Sequence, residues 1–105
     1  MNPNVVWSQF AENKLDDIFD YFYKRANKKV AQKIVDGIIS KSISLKNHSL
    51  MGQKELLLEV RNEDFRYLVH KNYKIIYKVE SEELIRIYDV FDCRQDPEKL
   101  ENLSE

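Results

Sequence analysis

The polar chemistry of this 105-residue chain gathers where its last apolar run ends, at Asp89-Val90-Phe91-Asp92-Cys93-Arg94. Asp89 interrupts the apolar pattern, and Asp92 and Arg94 follow as the run closes. An arginine at a strand terminus on an open face can stabilise negative charge developing on a phosphate. Lys74 and Arg86, outward on adjacent strands, are placed to join Arg94 in a cationic patch, and Arg66 is a fourth candidate. The plainer reading is an Arg94–Asp92 or Arg94–Asp96 surface pair, which contributes little. Lys74 and Arg86 then serve as solvated charges that keep an exposed sheet from aggregating.

The other chemistry-bearing residues stand apart. His48 falls in a loop and His70 at a strand end, so with a single cysteine no metal site is expected. Cys93, beside Arg94, has the makings of a nucleophile, but a lone cysteine at a strand end reads first as inert packing. Neither a nucleophile elbow nor a phosphate loop occurs. No cofactor is expected.

The residue types bound the setting. One cysteine excludes an internal disulfide, and a reducing compartment is the simplest reading. The start MNPNVVWSQF lacks the basic residues and apolar run of a signal peptide. No apolar stretch has the length of a membrane span. A cytoplasmic protein is therefore expected. With 43% hydrophobic residues the chain can bury a core, and residues 1–105 are read as one domain.

The net charge of -1 hides an uneven distribution. Lys24 to Lys46 holds seven Lys or Arg against Asp36 alone, whereas Asp96 to Glu105 holds four acids against Lys99. Arg66 to Val79 carries Arg66, Lys71, Lys74 and Lys78 and no acid. A domain that grips nucleic acid unaided is usually basic overall. This one is not, and the first reading of each basic stretch is a solvated surface.

The elements that must position these residues follow from periodicity. Val5-Val6-Trp7 is a short β-prone run, and Ser8 is a good helix N-cap. Ala11, Leu15, Ile18 and Phe22 then recur at helical spacing, giving a helix over about Ser8–Arg25. Asn27 caps a second helix whose buried face is Val30, Ile34, Ile38 and Ser42, with Ala31, Val35 and Leu45 alongside. Gly37 costs that helix about 1 kcal/mol relative to Ala, so it is expected to mark close packing against the first helix. Ala26 makes the pair an antiparallel hairpin.

Beyond Gly52 the period becomes two. Glu55–Val60, Phe65–His70, Tyr73–Val79 and Leu84–Phe91 read as strands joined by hairpin connections. Tyr73, Ile75, Tyr77 and Val79, with Ile85, Ile87 and Phe91, are expected to face the helices. Lys74, Ile76 and Lys78 take the other face, with Leu84, Arg86, Tyr88 and Val90. Two registers fit the Lys71-Asn72 turn. A two-residue turn pairs His70 with Tyr73 and puts Arg66 and His70 on the core side; a three-residue turn puts Phe65, Tyr67 and Val69 there. The second is preferred, because the first buries Arg66 without an evident partner. The expected fold class is α+β, an N-terminal antiparallel helix hairpin packed on one face of a small antiparallel β-sheet.

This order of elements, with three motifs, resembles the RelE/ParE superfamily of type II toxins over nearly the whole chain. The first motif is Trp7, Ser8, Ala11, Leu15, Ile18 and Tyr21-Phe22. The second is the strand Asn72-Tyr73-Lys74-Ile75-Ile76-Tyr77-Lys78-Val79, similar to the family's G-Y-R-I-x-Y-x-V. The third is Val90-Phe91-Asp92-Cys93-Arg94-Gln95-Asp96-Pro97-Glu98-Lys99-Leu100, similar to the R-Q-x-P-x-x-L end of many ParE-like members.

The resemblance implies one of two mechanisms. RelE-type toxins cleave mRNA in the ribosomal A site with basic residues and commonly a late Tyr or His. In this chain Lys74 replaces the arginine of that strand, Arg94 matches the later arginine, and Leu100 takes the place of the tyrosine. Leu100 cannot exchange a proton, as general acid–base cleavage requires. Tyr73, Tyr88 and His70 are the available substitutes, and none sits at the matching position. ParE-like toxins, which the chain resembles better, inhibit DNA gyrase without hydrolysis and need no catalytic set. The expected function is therefore a ParE-like, plasmid-stabilisation type of toxin that inhibits growth and is neutralised by a cognate antitoxin. Its alternatives are a ribosome-dependent mRNA endoribonuclease built on Arg66, Lys74, Arg86 and Arg94, or a non-toxic family member. Because Tyr21, Phe22 and Tyr23 cannot all face one core, they are the candidate antitoxin-binding residues.

Overall fold

The computed structural model describes residues 3–49, 52–54 and 63–94. Strand β1 (Asn4–Trp7) leads into helices α1 (Gln9–Arg25) and α2 (Lys28–Ile43), and a short 3-10 turn follows at Ser44–Lys46. Strands β2 (Gln53–Lys54), β3 (Arg66–His70), β4 (Tyr73–Ser81) and β5 (Leu84–Asp92) complete a five-stranded sheet of order β1-β5-β4-β3-β2. The helix pair packs on one face of this sheet, an α+β arrangement of the expected kind. The expected strand Glu55–Val60 lies outside the described residues.

Ser8 joins the first strand to the first helix. Its N–H donates to the Ile87 carbonyl at 2.9 Å, which ends β1. Its hydroxyl accepts from the Ala11 N–H at 3.1 Å and donates to the Tyr88 carbonyl at 3.3 Å. One buried side chain thus satisfies an orphan donor of α1 and ties the helix to β5. The stripe of Ala11, Leu15, Ile18 and Phe22 lies against the core, as its spacing requires. Asn27 caps α2 by accepting from the Val30 N–H at 2.9 Å. The buried face of α2 is Ala31, Val35, Ile38 and Ser42, followed by Leu45. Val30, expected in that face, is exposed in the first turn.

The sheet differs from the expected purely antiparallel plan at β1, which pairs parallel with β5 from Asn4↔Leu84 to Trp7↔Ile87. Parallel neighbours need a long crossover, and here the helix pair and the other strands intervene. A three-residue apolar run marks a strand but carries no sign of its partner's direction.

The β3–β4 register is the one not preferred from the sequence: His70 pairs with Tyr73 across a two-residue turn, with Lys71 at φ 55°. Leu68 and His70 therefore face the helices, and Phe65 and Tyr67 join the outer face. The objection to that register was an unpartnered Arg66. The structure supplies the partners, since Arg66 donates to the Gly52 carbonyl at 3.1 Å and to Asp64 at 3.4 Å. Gly52 also donates its N–H to the Tyr77 hydroxyl at 2.9 Å. A Cβ there would strike the Tyr67 carbonyl and the Tyr77 ring, so only glycine fits this approach.

β5 carries the second correction. Ile76 pairs with Asp89 but Tyr77 pairs with Ile87, leaving Tyr88 as an extra residue. Such a bulge shifts the alternation of faces by one residue. Past it, Val90 joins the helix-facing core and Phe91 joins the outer cluster of Phe65, Ile76 and Tyr88, the reverse of the expected assignment.

Gly37 does mark a close approach, but to β3 rather than to α1: a Cβ at this position would overlap the His70 ring. The His70 Nε2 is buried there without a hydrogen-bond partner among the described residues. Burial, with Lys71 and Lys41 nearby, holds the imidazole below its ordinary pKa and so favours the neutral ring. In an ordinary helix interior Gly→Ala stabilises by about 1 kcal/mol. Gly37→Ala is expected to destabilise instead, by about 1 kcal/mol or more, through overpacking. Urea unfolding measures this, and a stabilised Gly37→Ala variant would show that the His70 ring yields freely.

Candidate functional site

The β5 bulge shapes a groove between α1 and the ends of β4 and β5. Lys14, Asp17, Ile18 and Tyr21 are spaced along one side of α1, and Tyr73, Val90, Asp92 and Arg94 line the other wall of a cavity of about 400 Å³. Val90 and Asp92 reach this wall because the extra residue at Tyr88 turned them toward the helices. Asp92 pairs with Tyr73 on the ladder, which sets a carboxylate beside a phenol at the groove floor.

Arg94 is held by Asp92. Its Nε and Nη2 donate to the two carboxylate oxygens at 3.0 and 2.8 Å, and its backbone N–H donates to Oδ1 at 2.9 Å. The guanidinium hydrogen bond holds the Asp92 carboxyl below the usual carboxylate range. Burial, reinforced by the Asp92 charge, pushes the Tyr73 phenol up. At neutral pH Tyr73 therefore keeps its proton and is a poor general base.

A second ion pair involves Lys14 of the groove's helix wall. Asp89 is 1% exposed, and Lys14 Nζ reaches its Oδ1 at 3.0 Å while lying over the Phe10 ring. Burial raises the Asp89 pKa although Lys14 opposes that shift. Desolvation thus outweighs the one ammonium, itself partly in water, as is common for buried pairs.

The four basic candidates do not meet. Arg66 clamps Gly52 at the sheet margin. Lys74 lies over the Tyr67 ring on the outer face, with its Nζ 4.3 Å from the centroid. Arg86, also outward, pairs with the ladder neighbour Lys78, four residues along β4 from Lys74. Arg86 approaches Glu80 at 3.4 Å, and Lys78 bridges Glu63 at 2.8 Å and Glu80 at 3.5 Å. Tyr88 donates its hydroxyl to the same Glu80 at 2.8 Å. Arg94 lies apart from these, at the groove with Asp92. His70, packed against Gly37, does not line the groove, and His48 and Cys93 are exposed.

Of the aromatic run on α1, Phe22 packs against the core, whereas Tyr21 and Tyr23 are 46% and 53% exposed. The Tyr21 ring meets Phe22 edge-on and carries the Arg25 guanidinium at 4.5 Å. Lys14 and Asp17 were not singled out in the sequence. The one signal for Lys14 was the acid at position 89, which required a cation from somewhere. Among the described residues no helix is long and apolar enough to cross a membrane.

The sequence pattern of the ParE toxin of the type II toxin–antitoxin system parDE matches residues 5–97. The chain belongs to the ParE toxin family. ParE membership places it in a toxin–antitoxin system, which implies a cognate antitoxin as partner. No curated relative matches it significantly. A solved structure described as the chromosomal ParDE TA system from P. aeruginosa is similar in fold, with a TM-score of 0.71 at 21% identity. That match covers 86% of this chain and 95% of the other.

Proposed function

We propose that this ParE family member is a toxin that inhibits DNA gyrase by binding it, without turnover, until a cognate antitoxin neutralises it. The observation that carries the reading is the state of Arg94. The one arginine at the groove is engaged on both oxygens of Asp92, so a phosphate would have to displace a bidentate carboxylate to reach it. The other three basic candidates are dispersed over the sheet. The groove's phenol, Tyr73, holds its proton too tightly to act as a base. An inhibitor that works by occupancy requires none of these groups to exchange protons.

One observation favours the endoribonuclease alternative, namely that Tyr73 and Arg94 line the same groove. Controlled expression in bacteria separates the two readings when RNA 5′ ends on ribosomes are mapped beside gyrase-linked DNA breaks. DNA breaks without new RNA ends are expected. Ribosome-dependent cuts would replace this reading with the nuclease, and intact growth with neither product would indicate a non-toxic member.

We further assign Tyr21 and Tyr23, with Phe22 beneath them, to antitoxin binding. Large exposed aromatics beside an arginine have the composition that dominates binding energy at protein interfaces. Tyr23→Arg is expected to weaken the antitoxin complex about tenfold or more while leaving the thermal unfolding of the free toxin unchanged. Calorimetric titration reads the affinity, and an unaltered value would remove this surface from the interface.

A further inference from the structure

Ion pairing is unevenly distributed among the described cations. On the sheet and its α1 contact, Lys14, Arg66, Lys78, Arg86 and Arg94 all face carboxylates within the ion-pair range. At the tip of the helix hairpin the reverse holds. Lys24 and Arg25 end α1, Lys28 and Lys29 begin α2, and Lys33 follows one turn later. Arg25 is stacked on Tyr21. Lys28, Lys29 and Lys33 have no ion-pair partner among the described residues.

These three lysines are exposed and, with Gln32 and Asp36, line a shallow depression along α2. Asp36 keeps its charge while accepting from the Gln32 amide at 2.8 Å, so one carboxylate stands against three lysines and the depression stays cationic. Lys29 and Lys33 are separated by one helical turn, roughly 6 Å along the axis. We propose that this lysine ridge binds the phosphate backbone of duplex DNA.

The lining decides the class of partner. A polypeptide would need an aromatic or aliphatic anchor for most of its binding energy, and no apolar side chain lines the depression. Single-stranded nucleic acid is gripped by stacking its bases on aromatic rings, and none is present here either. Phosphates regularly spaced on a duplex require only cations, whose counterion release supplies the affinity. The net charge of -1 does not oppose this locally. Of the exposed acids of α1, Asp20 lies one turn before Lys24 and offsets that end of the helix, whereas Glu12, Asp16 and Asp17 lie about 10 Å or more from it, where charges are largely screened at 0.1 M salt. The choice of DNA over an RNA duplex rests on the gyrase reading, since that enzyme acts on duplex DNA. The ridge would then let the toxin hold its target while that target is engaged on DNA.

The test is fluorescence anisotropy of the full chain with a labelled 20-bp DNA duplex, without gyrase. Weak binding is expected, in a range of about 10⁻⁴ to 10⁻⁶ M. Three neutralised phosphates give a fall of about 40-fold between 50 and 200 mM salt. The triple variant Lys28→Gln, Lys29→Gln, Lys33→Gln should lose this binding and its salt slope. Circular dichroism should show its fold intact. Lys46→Gln, beyond the far end of α2, should bind as the parent does. An unchanged affinity and salt slope in the triple variant would overturn the proposal. So would tighter binding to single-stranded DNA or to duplex RNA. Loss of antitoxin binding with DNA binding retained would overturn it too, by giving the ridge to a protein partner. Because gyrase is left out, failure here leaves the gyrase reading standing. DNA binding in a strain that shows no gyrase-linked breaks would count against that reading alone.

Discussion

One extra residue in β5 sets the geometry on which the groove and both sheet faces depend. Without Tyr88 as a bulge, alternation along the strand would turn Val90 and Asp92 away from the helices and bring Phe91 in. The outer cluster of Phe65, Ile76, Tyr88 and Phe91 would lose Phe91, and the groove would lose Val90 and the anchor of Arg94. The bulge lies where β1 stops pairing with β5 and Ser8 takes over, bonding the Ile87 and Tyr88 carbonyls. Edge pairing passes from a strand to a helix at this point, and Asp89 is buried beside it under Lys14.

The same region supports the proposal that the site binds rather than turns over. A catalytic arginine must keep its donors available for charge that appears only in the transition state. Arg94 has spent two donors on Asp92, and its backbone N–H on the same carboxylate. The outer face is similarly self-neutralised, because Glu63 and Glu80 meet Lys78 and Arg86. Among the described residues, the helix layer leaves uncommitted the phenols of Tyr21 and Tyr23 and the lysines that begin α2. On the proposed reading these are surfaces for partners rather than groups for chemistry.

The helical half of the fold was legible because its signals are local. Ser8 and Asn27 are caps whose acceptors lie three residues away, and the stripes of α1 and α2 repeat within a few turns. The sheet was legible in its strands but not in their registers. Tyr88 and Val90 are alike enough in type that nothing in the residue order marks one as supernumerary. Asp89 was noticed as a break in pattern, but its partner Lys14 is 75 residues distant. The rejected turn register failed on Arg66, whose main acceptor is a glycine carbonyl 14 residues earlier, invisible to any side-chain pattern. Lys71, the residue in the left-handed conformation, is not a type that announces a tight turn. The candidate site was readable in the Asp92–Arg94 pair, which belongs to one short segment. Its opposite wall on α1 was not, because that wall is assembled by packing.

Inhibition by occupancy rather than turnover is the central claim, and stoichiometry tests it directly. Purified toxin is titrated into a fixed amount of purified gyrase, and loss of supercoiling is followed together with the accumulation of cleaved DNA. Both are expected to saturate near equimolar toxin and to be prevented by added antitoxin. Inhibition completed by a small fraction of an equivalent, or no effect on gyrase from a toxin that still arrests growth, would contradict it.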